Sequence, residues 1–555
     1  MYLRETRRTN RDGSQVSYLQ LAHNERHPDT GVSTAKVIHS FGRADLVDRD
    51  ALARLVASVS RFLGPGAQVA AAQPDGGAGV EIGDVRPMGG AYVLDGLWRR
   101  LGLPAVLAGL LEGRRFDPRT ERILFAMVAN RALEPLSKLA GARWVNERVA
   151  ISGLVDVDED ACYRAMDWLL DIEAELAEAV YWAVADLLNL EVDLLFFDTT
   201  STYFETEQAD EPADGETVGF RTYGHSKDSR PDLPQVIIGM AVTRTGIPIR
   251  VWTWPGNTND QALIRQVKDD LRAWRLGRVV WVADRGFSSA ENRRYLQRAG
   301  GHYIIGEKIR GDNKEAQAAL SRAGRYHTIA GNLRVKEVVL DDGTMRDRFI
   351  ICHNPDQAAR DHTIRDQLLT QLTDAIADSD QATKTARAEL AGQLSGYPGL
   401  KRFMRTTTGG LLRVDHAAVK AEQRLDGKFL LRTSDPTLTA EDVALGYKQL
   451  LEVERGWRDM KSTLALRPVY HHLERRIRAH VVLCWLALLL IRLAETGTDD
   501  TWRNLRHQLD RMHQVTLHSP EGTIVQRNAT TTEQAGIFRR LDLKEPAKFY
   551  EFNPA

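Results

Sequence analysis

The 555 residues predict an α/β protein in which a small β element and a helical region precede a mixed core carrying a β-rich insertion. Three observations predict it. Apolar residues alternate near the N-terminus, then recur at helical spacing from Tyr92 to about Leu190. From Val192 the apolar segments become short and strand-like. Helical periodicity then returns at Ala440 and runs to about Glu495.

The elements follow in order. Val16 and Tyr18, then Leu19 and Leu21, alternate with a phase slip, which predicts short strands over residues 1–43 with a polar turn at His23–Gly31. A short helix is expected over Asp50–Phe62, and the Gly-, Ala- and Pro-rich stretch Gly64–Gly90 reads as a linker. Met166, Leu169, Leu176, Val180, Val184 and Leu187 share one helical face, with Asp158 as cap. An all-helical module of this kind suits DNA binding and scaffolding equally. Leu194–Phe197 is apolar on both faces, as in a central strand covered on both sides. Val236–Val242 and Ile247–Trp254, joined by Thr245-Gly246, add a hairpin. Alternating helix and strand follow to Ile305, and this order is that of an RNase H-like core. Leu333–Leu340 and Arg348–Cys352, around Asp342-Gly343, then a long polar helix at about 356–392, read as an insertion. The expected divisions are 1–63 (strand-rich, possible DNA contact), 64–90 (linker), 91–190 (helical, DNA-binding), 191–306 (core, first part), 307–438 (inserted β-rich domain), 439–495 (core helices) and 496–555 (no assigned role).

Composition narrows the function classes. With 43% hydrophobic and 27% charged residues and a formal net charge of −1, the chain reads as globular, and a basic stripe can hide inside a neutral total. Residues 1–43 carry seven Lys/Arg against four Asp/Glu, and residues 454–478 carry seven against three. Cys162, Cys352 and Cys484 make no paired spacing, so no disulfide framework or zinc finger is expected and a reducing cytoplasm is the default. The opening MYLRETRRTN lacks the apolar core of a signal peptide, and Val481–Ile491 reads as a buried helix rather than a membrane span. No Walker A, H-E-x-x-H, C-x2-C or G-x-S-x-G segment occurs.

Candidate chemistry rests on three carboxylates. Asp198 follows the apolar run Leu194–Phe197, and Asp284 follows Val279–Ala283; either alone is explained equally well by a turn cap. Tyr447, Glu454 and Lys461 are spaced by seven and seven, which on one helix puts all three on one face. Three carboxylates offer hard oxygen ligands to Mg²⁺ or Mn²⁺, and two such ions activate a nucleophile and stabilise a leaving alkoxide at a phosphodiester. Tyr and Lys nearby suit phosphate contact.

This set resembles the DDE transposases of bacterial insertion sequences, in the branch whose last core helix carries a Tyr-x2-Arg-x3-Glu-x6-Lys signature and whose core holds a β-rich insertion. Here the positions are Tyr447, Leu450, Glu454 and Lys461, with Leu450 in place of the Arg and Arg458 as its candidate substitute. Asp284-Arg285-Gly286, the loop Tyr223–Gln235 and Gly256–Asp260 are similar to this group as well. The resemblance implies cut-and-paste transposition: Asp198, Asp284 and Glu454 holding two Mg²⁺ or Mn²⁺ ions, and Tyr447, Lys461, Arg458, Lys227 and Arg230 meeting DNA. The implied partners are double-stranded terminal inverted repeats, target DNA and a second copy of the chain, with no membrane. A metal-dependent nuclease without strand transfer, and a non-catalytic DNA-binding descendant, stay open as alternatives. Trp252 and Trp254 share a sheet face and read as core before base-stacking platform; His471-His472 reads as structural or DNA-facing.

Overall fold

The computed structural model describes residues 2–10, 15–26, 33–52, 54–56, 58–59, 62, 80–112, 117–188, 194–212, 219–272, 274, 279–311, 313–341, 346–520 and 522–554. Most of the expected linker and the Asp342-Gly343 turn lie outside them. The chain divides into two units, Met1–Asp84 with Val515–Gln526 and Phe549–Ala555, and Val85–Gln514 with Arg527–Lys548.

In the first unit, β1 (Tyr2–Thr9), β2 (Gln15–Arg26) and β3 (Ser33–Arg43) form an antiparallel sheet in that order. The phase slip in the sequence has a structural cause: the β2–β3 register shifts between Leu19 and Gln20 and again between Leu21 and Ala22. β2 continues to Arg26, into the stretch His23–Gly31 expected as a polar turn, whose later residues lie outside the described ones. The expected linker is shortened. Its last residues form β4 (Glu81–Pro87), at the edge of a second sheet. That sheet has the order β18 (Phe549–Pro554), β17 (Gly522–Arg527), β16 (His513–Ser519), β4.

The second unit opens with helices Gly89–Arg100, Leu103–Leu111, Thr120–Leu133, Lys138–Glu147, Glu159–Asp171 and Glu173–Leu188. Asp158 caps the fifth as expected, accepting the Ala161 N–H at 2.6 Å. The face from Met166 to Leu187 is split between two helices, which meet at Ile172. These helices gather around helix Glu474–Thr498, which packs on Thr120–Leu133, on Glu159–Asp171 and on strand β7 (Pro248–Pro255). That helix is long and apolar enough to cross a membrane, yet Val481–Ala494 are all buried inside the protein. Trp485 Nε1 donates to Pro248 O at 3.0 Å, fixing the helix to the sheet beneath.

The sheet has nine strands in the order β10-β11-β12-β15-β9-β8-β5-β6-β7. Within it, β5 (Leu194–Tyr203) is flanked on one side by antiparallel β6 (Gln235–Val242), which pairs antiparallel with β7. On the other side come parallel β8 (Val280–Ala283) and β9 (His302–Glu307). Gly246, at φ +78°, makes the β6–β7 turn expected from Thr245-Gly246.

The stretch 307–438 is not the separate β-rich domain expected. Its strands β10 (His327–Ala330), β11 (Leu333–Asp341), β12 (Arg346–His353) and β15 (Lys428–Thr433) continue the main sheet, and β15 pairs antiparallel with β9. It is also rich in helix, and the long polar helix is two: Pro355–Ile376 and Lys384–Ser395. Between them and β15 lie helix Pro398–Lys401, the hairpin β13 (Met404–Thr406) and β14 (Leu412–Val414), and helix His416–Gln423, with a small core of its own around Leu372, Leu394 and Phe403.

Candidate active site

The register of β5 on β8 builds the site. The parallel ladder runs from Leu194↔Val280 to Phe197↔Ala283, so the next residue on each strand is a carboxylate, Asp198 or Asp284. Neighbouring strands lie about 4.8 Å apart, and equal parity puts both side chains on one face. The sequence reading differs here in one respect. Asp198 is not at a strand end, because β5 runs on to Tyr203 against β6, with Asp198 opposite Met240.

Tyr447 closes the Asp284 side. Its hydroxyl donates to Asp284 Oδ1 at 3.1 Å, and its ring stacks on Phe429 at 6.2 Å. Room for it comes from Gly306 on β9, where a Cβ would lie 2.5 Å from the Tyr447 oxygen. Burial, followed by the negative charge of Asp284, holds the Tyr447 phenol well above its ordinary range. Burial also pushes the Asp198 carboxyl up to about 6, opposed by Lys227 and the Thr199 N–H and reinforced by Asp284 and Asp260.

The helical stretch expected from Ala440 to Glu495 is three helices, Ala440–Lys448, Leu451–Ser462 and Glu474–Thr498. Gln449 ends the first by donating its N–H back to Gly446 O and Tyr447 O, and Pro468 lies between the second and third. Tyr447, Glu454 and Lys461 therefore do not share one unbroken helix. Leu450, which stands where the resemblance expects Arg, is buried at the junction and packs with the core.

Tyr447 and Lys461 still reach the same end of the sheet. Lys461 Nζ donates to Thr200 Oγ1 at 2.7 Å and to Asp228 Oδ1 at 2.8 Å, and Arg467 pairs with Asp228 at 3.3 Å. Burial lowers the Lys461 pKa, against the pull of Asp228. Between Tyr447 and Lys461, helix Leu451–Ser462 crosses β5 and β6 with Gly456 set against Met240, the partner of Asp198. Glu454 is exposed on this helix, and its carboxylate has no partner among the described residues. Among the described residues no three Asp, Glu, His or Cys side chains converge as a metal cage.

The other expected DNA contacts are mostly engaged within the chain. Lys227 Nζ donates to Thr199 O at 2.9 Å and lies 3.1 Å from Asp260 Oδ2. Arg230 pairs with Asp232 at 2.7 Å and lies over the Tyr203 ring. Arg458 is exposed, its guanidinium without a partner among the described residues. Trp252 and Trp254 are buried and donate to Asp270 and Gln266, each at 2.8 Å, so they are core. His471 is also buried, edge-on to Tyr163, and burial pushes its pKa down to about 3. Asp228, Asp260, Thr199, Thr200 and Gly306 were not singled out from sequence. Asp228 and Asp260 had only their membership of the loops Tyr223–Gln235 and Gly256–Asp260 as a signal, Thr199 and Thr200 only the polar tail of β5, and Gly306, on β9, had none.

Residues 194–490, more than half of the chain, match the family described as Transposase DDE domain. The chain belongs to the DDE transposases. Residues 3–72 match the IS1634 family transposase N-terminal domain, so it is an insertion-sequence transposase. No curated protein matches it. Two solved structures show slight likeness. A piggyBac transposase synaptic complex with hairpin DNA has 9% identity over 75% of this chain and 76% of that one, at a TM-score of 0.33. A Mos1 transposase paired-end complex with left transposon end has 14% identity over 36% and 57%, at 0.14. As a DDE transposase the protein cleaves DNA and transfers strands, and enzymes of this family depend on a divalent metal, generally Mg²⁺ or Mn²⁺.

Proposed function

We propose that this transposase acts at the terminal inverted repeats of its element through Asp198, Asp284 and Glu454. The observation carrying this reading is the β5–β8 register, which makes Asp198 and Asp284 neighbours one step past the paired strands. Their chemistry fits the family's metal. Mg²⁺ is commonly held by one or two carboxylates together with waters and substrate phosphates, so a complete protein cage is not required. A buried carboxylate beside two others is also an environment that favours an added cation. Glu454, on the helix crossing β5, is the third proposed ligand. Two Mg²⁺ or Mn²⁺ ions held there would supply activation of the attacking hydroxyl and charge neutralisation at the leaving oxygen.

The chain's own residues do the rest. Tyr447, donating to Asp284, fixes that carboxylate's orientation. Lys461 and Arg458, on the same helix as Glu454, meet backbone phosphates, and Lys227 and Arg230 do so from the loop before β6. The order β7-β6-β5-β8-β9, with β6 antiparallel to its neighbours, supports an RNase H-like core. Tyr447, Glu454 and Lys461 support membership of the branch with the Tyr-Arg-Glu-Lys signature, Leu450 being its one departure. The strand-rich N-terminal unit and helical region 91–190 bind the ends, and two copies join them.

The test incubates the full-length protein with Mg²⁺ and a duplex bearing the inverted repeats that flank its own gene. Cleavage at the element's 3′ ends with a joined product is expected, and Asp198→Asn abolishes both while retaining end binding. Cleavage that never yields a joined product favours the nuclease alternative. Activity surviving in Asp198→Asn refutes the site.

A further inference from the structure

In the three-stranded sheet of the first unit the charges are sorted by face. β1 and β2 pair without a break from Tyr2↔Ala22 to Thr9↔Gln15, and directly opposed residues of an antiparallel pair share a face. Arg4 opposite Gln20, Thr6 opposite Tyr18 and Arg8 opposite Val16 therefore lie on one face, and Arg43 of β3, opposite Tyr18, joins them. Leu3 opposite Leu21, Glu5 opposite Leu19 and Arg7 opposite Ser17 lie on the other, with Lys36 of β3 opposite His23. Two contacts agree with this sorting. The Tyr2 hydroxyl donates to Asn24 Oδ1 at 2.8 Å on the first face, and Lys36 pairs with Glu25 at 3.0 Å on the second. The carboxylates that these strands carry, Glu5 and Glu25, thus both stand on the second face. On the first, Arg43 is held at 2.7 Å by Asp45 from beyond the strand, whereas Arg4 and Arg8 are exposed and without a partner among the described residues.

We propose that this face lies in the major groove of the terminal repeats and reads base edges through Arg4, Gln20 and Arg8. This rests on the reading that the protein acts at those repeats. The side-chain chemistry selects the partner. A guanidinium grips guanine O6 and N7 with two hydrogen bonds, and a glutamine amide does the same at adenine N6 and N7. An acidic protein surface would need the charges and would have no use for the amide directly opposite Arg4. The dimensions agree as well. Three strands span two interstrand spacings, about 10 Å, against a major groove about 12 Å wide. Along β1 the rise of about 3.4 Å per residue equals the spacing of successive nucleotides on one DNA strand, so Arg4 and Arg8 reach positions about four base pairs apart, with Thr6 between them. The second face has its Lys36–Glu25 charges paired and carries Leu3, Leu19 and Leu21, which offer base edges no hydrogen bonds.

The experiment measures binding of the full-length protein to a duplex of its own terminal repeat and to a scrambled duplex of equal length, by fluorescence anisotropy. Arg4→Lys, Arg8→Lys and Gln20→Ala should each weaken repeat binding about tenfold and leave the scrambled duplex nearly unchanged, because lysine keeps the charge and loses the two-pronged grip. Arg7→Lys, the matched change on the second face, should alter neither. Placing 7-deazaguanine at each guanine of the repeat in turn removes one major-groove acceptor at a time. One position should cost wild type about tenfold and cost Arg4→Lys nothing more. Equal losses on both duplexes reduce the face to phosphate contact and overturn the proposal, as does wild-type affinity in all three variants. Variants that lose self-association in light scattering and keep repeat affinity make the face a contact between copies, which also overturns it. If wild type binds the two duplexes alike, the terminal-repeat reading itself fails, and the proposal with it.

Discussion

Replacing Asp198 by Asn should stabilise the metal-free transposase while abolishing its chemistry. Burial raises the Asp198 carboxyl from 3.8 to about 6, a difference of 6 − 3.8 = 2.2. At about 1.36 kcal/mol per unit, ionised Asp198 opposes folding by about 3 kcal/mol. The sign follows from the direction of the shift. A carboxyl raised in the folded state favours folding below its unfolded value of 3.8, and that advantage is lost as pH rises through about 6. Asn is nearly isosteric, stays neutral, and keeps an oxygen for the Thr199 N–H. Denaturant unfolding in EDTA, monitored by fluorescence from pH 4 to pH 8, should therefore show wild type and Asp198→Asn alike at pH 4. The variant should gain up to about 3 kcal/mol by pH 7.5. Added Mg²⁺ should then stabilise wild type and leave the variant unchanged. A gap between the two that does not vary with pH, or a variant less stable at pH 7.5, refutes the argument.

Three further outcomes follow from the same geometry. Gly306→Ala puts a methyl 2.5 Å from the Tyr447 hydroxyl, so strand cleavage should fall sharply at a stability cost of about 1–3 kcal/mol, read by cleavage rate and melting together. Lys138 is fully buried, and burial, aided by Arg131, lowers its pKa to about 7. The penalty for charging it is complete below pH 7 and fades towards 10.5, so wild-type melting temperature should rise from pH 7 to pH 10, and Lys138→Met should melt higher than wild type at pH 7. Arg458→Ala should leave stability within about 0.5 kcal/mol of wild type and reduce the salt slope of end binding by roughly one, measured by fluorescence anisotropy at several salt concentrations.

Much of this was legible in the sequence, and the limits have physical causes. Doubly apolar Leu194–Phe197 announced a covered strand, and the alternation around Leu19 announced a strand whose phase slip the structure explains by a register shift, because both are local consequences of period-2 geometry. Asp198 and Asp284 were found because each follows an apolar strand. That their strands are adjacent and in matching register is a long-range fact. The pairing of β15 with β9, which carries the supposed insertion into the main sheet, joins residues more than 120 positions apart and leaves no local trace. The break at Gln449 was hidden because Lys448, Gln449, Leu450 and Leu451 all favour helix, and Leu450 is buried at the junction. Asp228 lies in a loop without periodicity and Asp260 at the first position of helix Asp260–Arg272, so only the three-dimensional arrangement shows which cations they hold.

The buried helix Glu474–Thr498 bears on how the protein is made. Helices Thr120–Leu133 and Glu159–Asp171, and strand β7, all bury apolar surface against it. These partners leave the ribosome some 220 to 350 residues before it does. Until it emerges, their apolar faces have no cover, and the nascent chain must wait with them exposed. A chain terminated ahead of residue 474 therefore contains both strands that position Asp198 and Asp284 and still lacks the piece that lets them pack. A stop ahead of residue 474 is therefore expected to yield an aggregation-prone fragment in place of a partly active enzyme.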